Sequence, residues 1–315
     1  MERTVFGVTR NGETVDRISF RNGRFHFSVL TFGAVLYSFG YDDVNLVFNH
    51  EKLSSYEDDS SYMGEVVGPY ANRIAGASFT LDGVEYHLDK NNNGNSLHSG
   101  SACFGQRVWS VIGIGESSVT LSISTPDGLG GFPGFHECTV TYLLSDDGRL
   151  VLDYIVSSDR KCPVSVTNHT YFNLNGGEGD IKNHVLTVPA ESYVSVDEFL
   201  IPVAVAPVCG TDFDFRTPHA IGERRNGAYD NTFCIDKDGR IRAEGTKAAM
   251  EIWTTEPGVQ IYTGGFLSGD HEQYSGVCFE SGRYPDTPNN PGFPQAFTES
   301  GKPYRSTTEF SIEVR

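Results

Sequence analysis

Two histidines, two carboxylates, an arginine and two side-chain amides stand out along this chain, each framed by glycine, aromatic or β-branched neighbours. They are Asn72-Arg73 in GPYANRI, His98 in SLHSG, His169 in TNHTYFNL, Asp230 in AYDNTF, Gln260 in PGVQIYTGGF and Glu280 in CFESGRYPDTPN. The histidines and Glu280 can take and give protons near neutral pH. Arginine, asparagine, aspartate and glutamine can hydrogen-bond a polyhydroxylated ligand. No two histidines or cysteines share metal-ligand spacing, and no dinucleotide fingerprint, phosphate loop or nucleophile elbow accompanies them. The set points to proton transfer on a sugar, with no metal or other cofactor.

Each residue also has a plainer reading. Glu280 follows the apolar run GVCF, so it reads either as an exposed glutamate at or near a strand end or as a base held against a pocket wall, where burial would raise its pKa. His169 has Asn168, Thr170 and Asn173 nearby to fix its tautomer, and Tyr171 and Phe172 to wall it; a histidine among strand residues is otherwise a packed or surface group. His98 lies in a glycine- and serine-rich turn where the backbone can approach a ligand. Arg73 serves as well in an ion pair as in a fork to sugar hydroxyls. Asp230 can accept from two hydroxyls or cap a turn. Gln260 signals little alone.

Short alternating runs must position these residues. ASFTL-DG-VEYHL reads as a hairpin turning at Asp82-Gly83, and ECTVTYLL-SDDG-RLVLDYIV as a second pair. VWSVIGI, SVTLSIST, HVLTVPA, AMEIWTTE, VQIYTGG and TEFSIEV follow the same pattern, rich in Val, Ile, Thr, Phe and Tyr. Only HEKLSSYEDDSSYMGEVVG has room for one or two short helical turns. GRYPDTPNNPGFPQAF reads as an ordered loop, and no repeat or linker divides the chain. The expectation is a single all-β domain over residues 1–315, a large antiparallel β-sandwich of roughly twenty short strands with few short helices.

Composition narrows the partners. The 315 residues are 38% hydrophobic and 12% aromatic, enough for a substantial core, and the net charge is −17. That charge argues against binding nucleic acid or an anionic membrane surface. No apolar run approaches the ~20 residues of a membrane-spanning helix. The opening residues lack the basic-then-apolar pattern of a secretory signal. Six widely spaced cysteines, several inside apolar runs, read as free thiols, which suits the cytoplasm.

Taken in order, GPYANRIAGASFTLDGVEYHL, NNNGNSLHSG with the later Trp109, TNHTYFNLNG, GTDFDFRTP, YDNTF, PGVQIYTGGF and FESGRYPDTPNNPGFP closely resemble the aldose 1-epimerase family, also called galactose mutarotases. The resemblance implies a large β-sandwich with an open cleft on one sheet and a small-molecule aldose as partner. By position it makes Glu280 the general base, His169 the general acid and His98 the second active-site histidine. It makes Asn72, Arg73, Asp230 and Gln260 sugar-contacting. Cofactors and metals are not implied, and the oligomer is a monomer or a homodimer. The chain departs from the family at Pro69 (usually arginine), Ser99 (commonly glycine), Asn231 (usually histidine), Gly265 (commonly asparagine) and Gly282 (often glutamine). None of these removes a proton-transfer group. Several remove polar or bulky groups beside the cleft, which leaves the sugar open (galactose, glucose, maltose or another) and makes room for a substituted sugar or a disaccharide.

The implied reaction interconverts α and β anomers by ring opening. With ordinary values of about 4.3 for glutamate and about 6.5 for histidine, ionised Glu280 and protonated His169 coexist mainly between them. A negative neighbour such as Asp230 would widen that window by raising the histidine. Three rivals share the residues: a non-catalytic sugar-binding or sensor protein on the same fold, a glycosidase using Asp230 and Glu280, and a hexose-phosphate epimerase, which the arginine missing at Pro69 disfavours.

Overall fold

The computed structural model describes residues 1–315. Three antiparallel sheets carry the fold. The amino-terminal sheet is a five-stranded meander from Glu2–Val8 through Thr14–Asn22, Phe25–Leu30 and Leu36–Tyr41 to Val44–Asn45. A nine-stranded sheet is centred on His136–Leu144, Arg149–Ser158, Tyr304–Val314 and Ala248–Thr254. A six-stranded sheet runs in the order Tyr171–Phe172, Val277–Gly282, Gly258–Tyr262, Asp230–Cys234, Ser192–Val196, Pro202–Pro207. The expected β-sandwich is the observed one. It has 28 strand segments rather than about twenty, because several two-residue bridges carry too little pattern to be read from sequence.

Both expected hairpins form. Leu81 pairs with Val84 across a two-residue turn in which Asp82 and Gly83 have φ of 50° and 82°, as the tight hairpin connection requires. His136–Leu144 pairs along its length with Arg149–Ser158. The helical signal resolves to one α-helix, Leu53–Asp58, which buries Leu53 and Tyr56 and ends at the loop that leads into the cleft.

The largest core cluster draws on all three sheets: Phe20, Phe27 and Phe39 from the first, Tyr142 and Phe310 from the second, Phe233, Ile261 and Phe279 from the third. Phe172 lies 4.9 Å from Phe310 and 6.2 Å from Phe279, centroid to centroid, which ties the third sheet to the second. The Tyr142 hydroxyl donates to the Ala34 carbonyl at 2.6 Å and ties the second to the first. Side chains alternate across a strand, so Val277 and Phe279 enter this core while Cys278 and Glu280 turn to the opposite face. Val259 and Ile261 do the same beside Gln260 and Tyr262.

Candidate active site

That opposite face carries two cross-strand rows. In one, Glu280 stands opposite Gln260, which stands opposite Thr232; in the other, Tyr171, Cys278, Tyr262 and Asp230 follow one another. Glu280 thus sits inside its strand rather than at its tip. Both ends of the Gln260 amide are engaged: Oε1 accepts from the Thr232 hydroxyl at 2.5 Å and Nε2 donates to Asp230 Oδ1 at 2.6 Å.

The remaining groups arrive on turns. His169 lies between Thr167–Asn168, paired with Val66–Val67, and Tyr171–Phe172, paired with Val277–Cys278. Its amide donates to the Glu65 carbonyl at 2.8 Å. His98 and Asn72 hold each other: the His98 amide donates to the Asn72 carbonyl at 3.0 Å, and the Asn72 amide donates to His98 Nδ1 at 3.2 Å. Arg73 Nε donates to Asn92 Oδ1 at 3.1 Å. Tyr62, Asn72, Asn93, His98 and Ser99 all have left-handed backbones, with φ of 56°, 66°, 49°, 51° and 69°. Such conformations persist where the surroundings over-determine them, and they gather at functional sites.

Together these elements enclose an open cavity of about 470 Å³, lined by Asn72, Arg73, His98, His169, Asp230 and Glu280. His169 Nε2 lies 3.5 Å from Glu280 Oε1. His169 is 5% exposed and Glu280 6%, so the pair is almost dry. The His98 and His169 rings meet edge to face at 5.5 Å, and Tyr62 packs on His98 at 4.6 Å. Of the seven residues singled out from sequence, only Gln260 lies off this lining, beneath Asp230 and Glu280.

The sequence reading of the neighbours needs three corrections. Asn168, Thr170 and Asn173 do not touch the His169 ring: Asn168 donates to the Gly64 carbonyl, Thr170 donates to Asn168, and Asn173 donates to main-chain carbonyls including that of Ser275. The ring's Nδ1 instead lies 3.6 Å from Cys278 Sγ. Tyr171 walls His169 at 5.2 Å as expected, but alternation sends Phe172 into the core. Tyr62 and Phe266 on the lining were missed. Tyr262 was missed too, although it lies two residues from Gln260 and the period-two rule puts it on the same face.

Burial also reverses the expected proton order. Burial raises Glu280 to about 8, with repulsion from Asp230 adding to it and Arg73 opposing. Burial lowers His169 to about 4, against its own carbonyl and Asp59. Asp230 therefore acts on Glu280 rather than on the histidine, and its own pKa is raised by burial. His98 is lowered well below the usual imidazole range by burial, by His169 and by Arg73. Because its Nδ1 accepts from Asn72, neutral His98 carries its proton on Nε2 and is a hydrogen-bond donor.

Ligand-type atoms of His98, His169 and Glu280 lie within 4.8 Å of one another, a spacing a cation would accept. Ligation through His98 Nε2 would force the proton onto Nδ1, against the Asn72 amide. The donor set fits proton transfer better than metal binding.

Residues 16–311 match the family model described as aldose 1-epimerase. The galactose mutarotase of Rattus norvegicus is 36% identical, aligned over 99% of this chain and 98% of its own length. The aldose 1-epimerase of Escherichia coli (strain K12) is 36% identical over 82% of each. Among solved structures, an aldose epimerase homologue from C. elegans superposes with a TM-score of 0.90 at 26% identity, covering 95% of this chain and 98% of that one. A galactose 1-epimerase from Lactobacillus acidophilus gives 0.90 at 23% identity, over 99% and 98%. With a buried histidine–glutamate pair at the base of a polar cleft and this likeness along nearly its whole length, the chain belongs to the aldose 1-epimerase family.

Proposed function

We propose that Glu280 and His169 carry the reaction of this aldose 1-epimerase, the interconversion of the α and β anomers of an aldose such as galactose or glucose. Ionised Glu280 takes the proton of the anomeric hydroxyl and protonated His169 gives one to the ring oxygen. The bond from C1 to the ring oxygen breaks as the C1 carbonyl forms. Rotation about C1–C2 presents the other carbonyl face, and closure returns both protons. His98 donates from Nε2, while Asn72, Arg73 and Asp230 hold hydroxyls. Gln260 acts through Asp230 rather than by touching the sugar.

The observation that carries this reading is the 3.5 Å contact between the nearly buried side chains of His169 and Glu280 on the wall of the cleft. Between about pH 4 and about 8 the pair holds one proton, and burial favours it on Glu280. That is the arrangement reached after ring opening, a carboxylic acid beside a neutral imidazole. The reacting arrangement, ionised Glu280 beside protonated His169, is therefore the less populated placement of that single proton, and turnover draws on it.

We also assign the protein to the cytoplasm, as one domain and as a monomer or homodimer. Six free thiols, four of them buried, support a reducing compartment, the shared core supports one domain, and light scattering reads the oligomer. No helix is long and apolar enough to cross a membrane.

Polarimetry on freshly dissolved α-galactose and α-glucose tests the function. The expected result is acceleration by the wild type and none by Glu280→Gln. Equal acceleration by the variant would remove Glu280 from the chemistry, and none by the wild type would remove these hexoses as substrates.

A further inference from the structure

Five Asn-Gly pairs occur along the chain, beginning at Asn11, Asn22, Asn93, Asn175 and Asn226. In such a pair the main-chain nitrogen of the glycine can attack the side-chain carbonyl carbon of the asparagine, because no Cβ on the glycine blocks the approach. Attack needs a side chain free to swing and a glycine N–H that is not already donating. The fold withholds one or both at four of the pairs. The amides of Gly12, Gly176 and Gly227 donate to the carbonyls of Thr9, Asn173 and Arg224 at 2.8, 3.2 and 2.9 Å. The Asn175 side chain accepts from the Thr246 amide and hydroxyl at 2.8 and 3.0 Å, and the Asn22 side chain donates to the Leu144 carbonyl at 3.3 Å. Asn93 alone is exposed, makes no side-chain hydrogen bond and precedes a glycine whose N–H donates to nothing.

That pair is the tip of a two-residue turn at the rim of the cleft, with φ of 49° at Asn93 and 83° at Gly94. The Asn92 amide donates to the Asn95 carbonyl at 3.1 Å, and the Asn95 amide donates back to the Asn92 carbonyl at 2.8 Å. Side chains tie the turn to the site: Asn92 Oδ1 accepts from Arg73 Nε at 3.1 Å, and Asn95 Oδ1 accepts from the Gly76 amide at 2.9 Å. Asn92, Asn93 and Arg73 line the cleft together.

We propose that Asn93 is a site of spontaneous deamidation, and that its conversion weakens sugar binding by dislodging Arg73. The Gly94 nitrogen gives its proton to hydroxide and bonds to Asn93 Cγ. The Cγ–Nδ2 bond breaks, and the nitrogen takes a proton from water and leaves as ammonia, which regenerates the hydroxide. The resulting succinimide takes up water and opens at either of its two C–N bonds. One opening gives aspartate; the other gives isoaspartate, whose main chain runs through Cβ and Cγ. The ring closes only as Asn93 turns out of its left-handed conformation, and only the few main-chain bonds of this turn oppose that. Isoaspartate lengthens a turn of two residues, so the Asn92 side chain loses its place on Arg73. Aspartate instead sets a carboxylate on the rim of the cleft that Arg73 also lines, which draws the guanidinium away from sugar hydroxyls. The effect on binding rests on the epimerase reading of the cleft; the modification itself does not.

The test holds the full chain at mildly alkaline pH and maps its peptides by mass spectrometry at intervals. Amide-to-acid exchange at Asn93 should accumulate at least about tenfold faster than at Asn11, Asn22, Asn175 or Asn226, with isoaspartate among the products and oxygen drawn from labelled water. Over the same interval KM for galactose should rise at least about threefold while kcat holds within about twofold. Asn93→Gln, whose longer side chain does not close this ring with Gly94, should keep its starting KM throughout. Modification of Asn93 no faster than of the other four would overturn the proposal. Full conversion with KM unchanged would overturn the link to Arg73, as would an equal drift of KM in Asn93→Gln. Absence of galactose and glucose turnover in fresh wild type would fail the epimerase reading instead, with the peptide map still deciding the modification.

Discussion

The two halves of the cleft are built by different means. Glu280 and Asp230 stand on regular strands, in rows fixed by ladder hydrogen bonds and by the core residues between them. His98, Asn72 and Tyr62 stand on turns with left-handed backbones, held by side-chain caps. A strand sets a residue's direction by alternation alone, whereas a turn must be over-determined by its contacts. Asp59 illustrates the second kind: its carboxylate accepts from the amides of Ser61 and Met63 at 2.8 and 2.9 Å and from the Ser61 hydroxyl at 2.8 Å, fixing the turn that carries Tyr62. The strand half carries Glu280, the proposed base, and the turn half shapes the space around it.

The sharpest way to separate the halves is to remove the reacting groups without moving either. Glu280→Gln and His169→Asn should each lower kcat by at least about a hundredfold while sugar binding largely survives, as expected when a proton-transfer group is lost. Glu280→Gln should also stabilise the protein at alkaline pH. Burial holds the folded carboxyl near 8, far above the unfolded value, so wild-type stability falls as pH rises from about 4.5 to about 8, by on the order of 4 kcal/mol. The glutamine escapes that loss, and thermal melts at pH 6 and pH 8.5 would show its advantage growing. His169 has the opposite sign: lowered to about 4, it makes the protein lose stability as pH falls from about 6.5 to about 4. Near-wild-type turnover in either variant would break the division of labour.

Next in size is the pH profile. Because the pair works with a single proton, kcat/KM should stay level from about pH 4 to about 8 and fall about tenfold per unit on either side. A plateau confined to about 4.3–6.5, the ordinary values, would mean that the cleft does not shift its pair. Asp59→Asn links the halves: it should loosen the Tyr62 turn, lowering kcat/KM about tenfold mainly through KM. It should also move the acid limb lower, since Asp59 raises His169. A change in kcat alone, with the limb unmoved, would argue that Asp59 acts elsewhere.

What could be read from sequence divides along the same line. The strand half was legible, because alternation in GVCFES and PGVQIY places Glu280 and Gln260 opposite the core residues Phe279 and Ile261. The hairpin at Asp82-Gly83 was equally plain. Motif resemblance located His98, His169 and Asn72, but not their geometry, since a turn's contacts come from distant segments. His98 Nδ1 is capped 26 positions away by Asn72, and Cys278 meets His169 across 109. The proton order was illegible for the same reason: ordinary values apply to solvated groups, and it is the closing of both halves that dries the pair. The hydrogen bonds of Gln260 to Thr232 and Asp230 were equally hidden, because a side chain's cross-strand partners leave no trace in local sequence.

The smallest effect probes the turn half directly. Ser99, where the family commonly has glycine, accepts from the Tyr70 amide at 2.8 Å and donates to the Tyr70 carbonyl at 2.9 Å, all of them buried. These two bonds offset its left-handed backbone, φ of 69°. Ser99→Ala loses both bonds and keeps the strain, so it should destabilise by about 2 kcal/mol. Ser99→Gly loses the same bonds but relaxes the backbone, and should cost about 1 kcal/mol less than alanine. Both should retain turnover within about threefold, because the Asn72 amide still sets the His98 ring. Equal melting points for the two variants would show that the turn stores no strain at this position. A collapse of turnover in Ser99→Gly would show that the serine, rather than Asn72, orients His98.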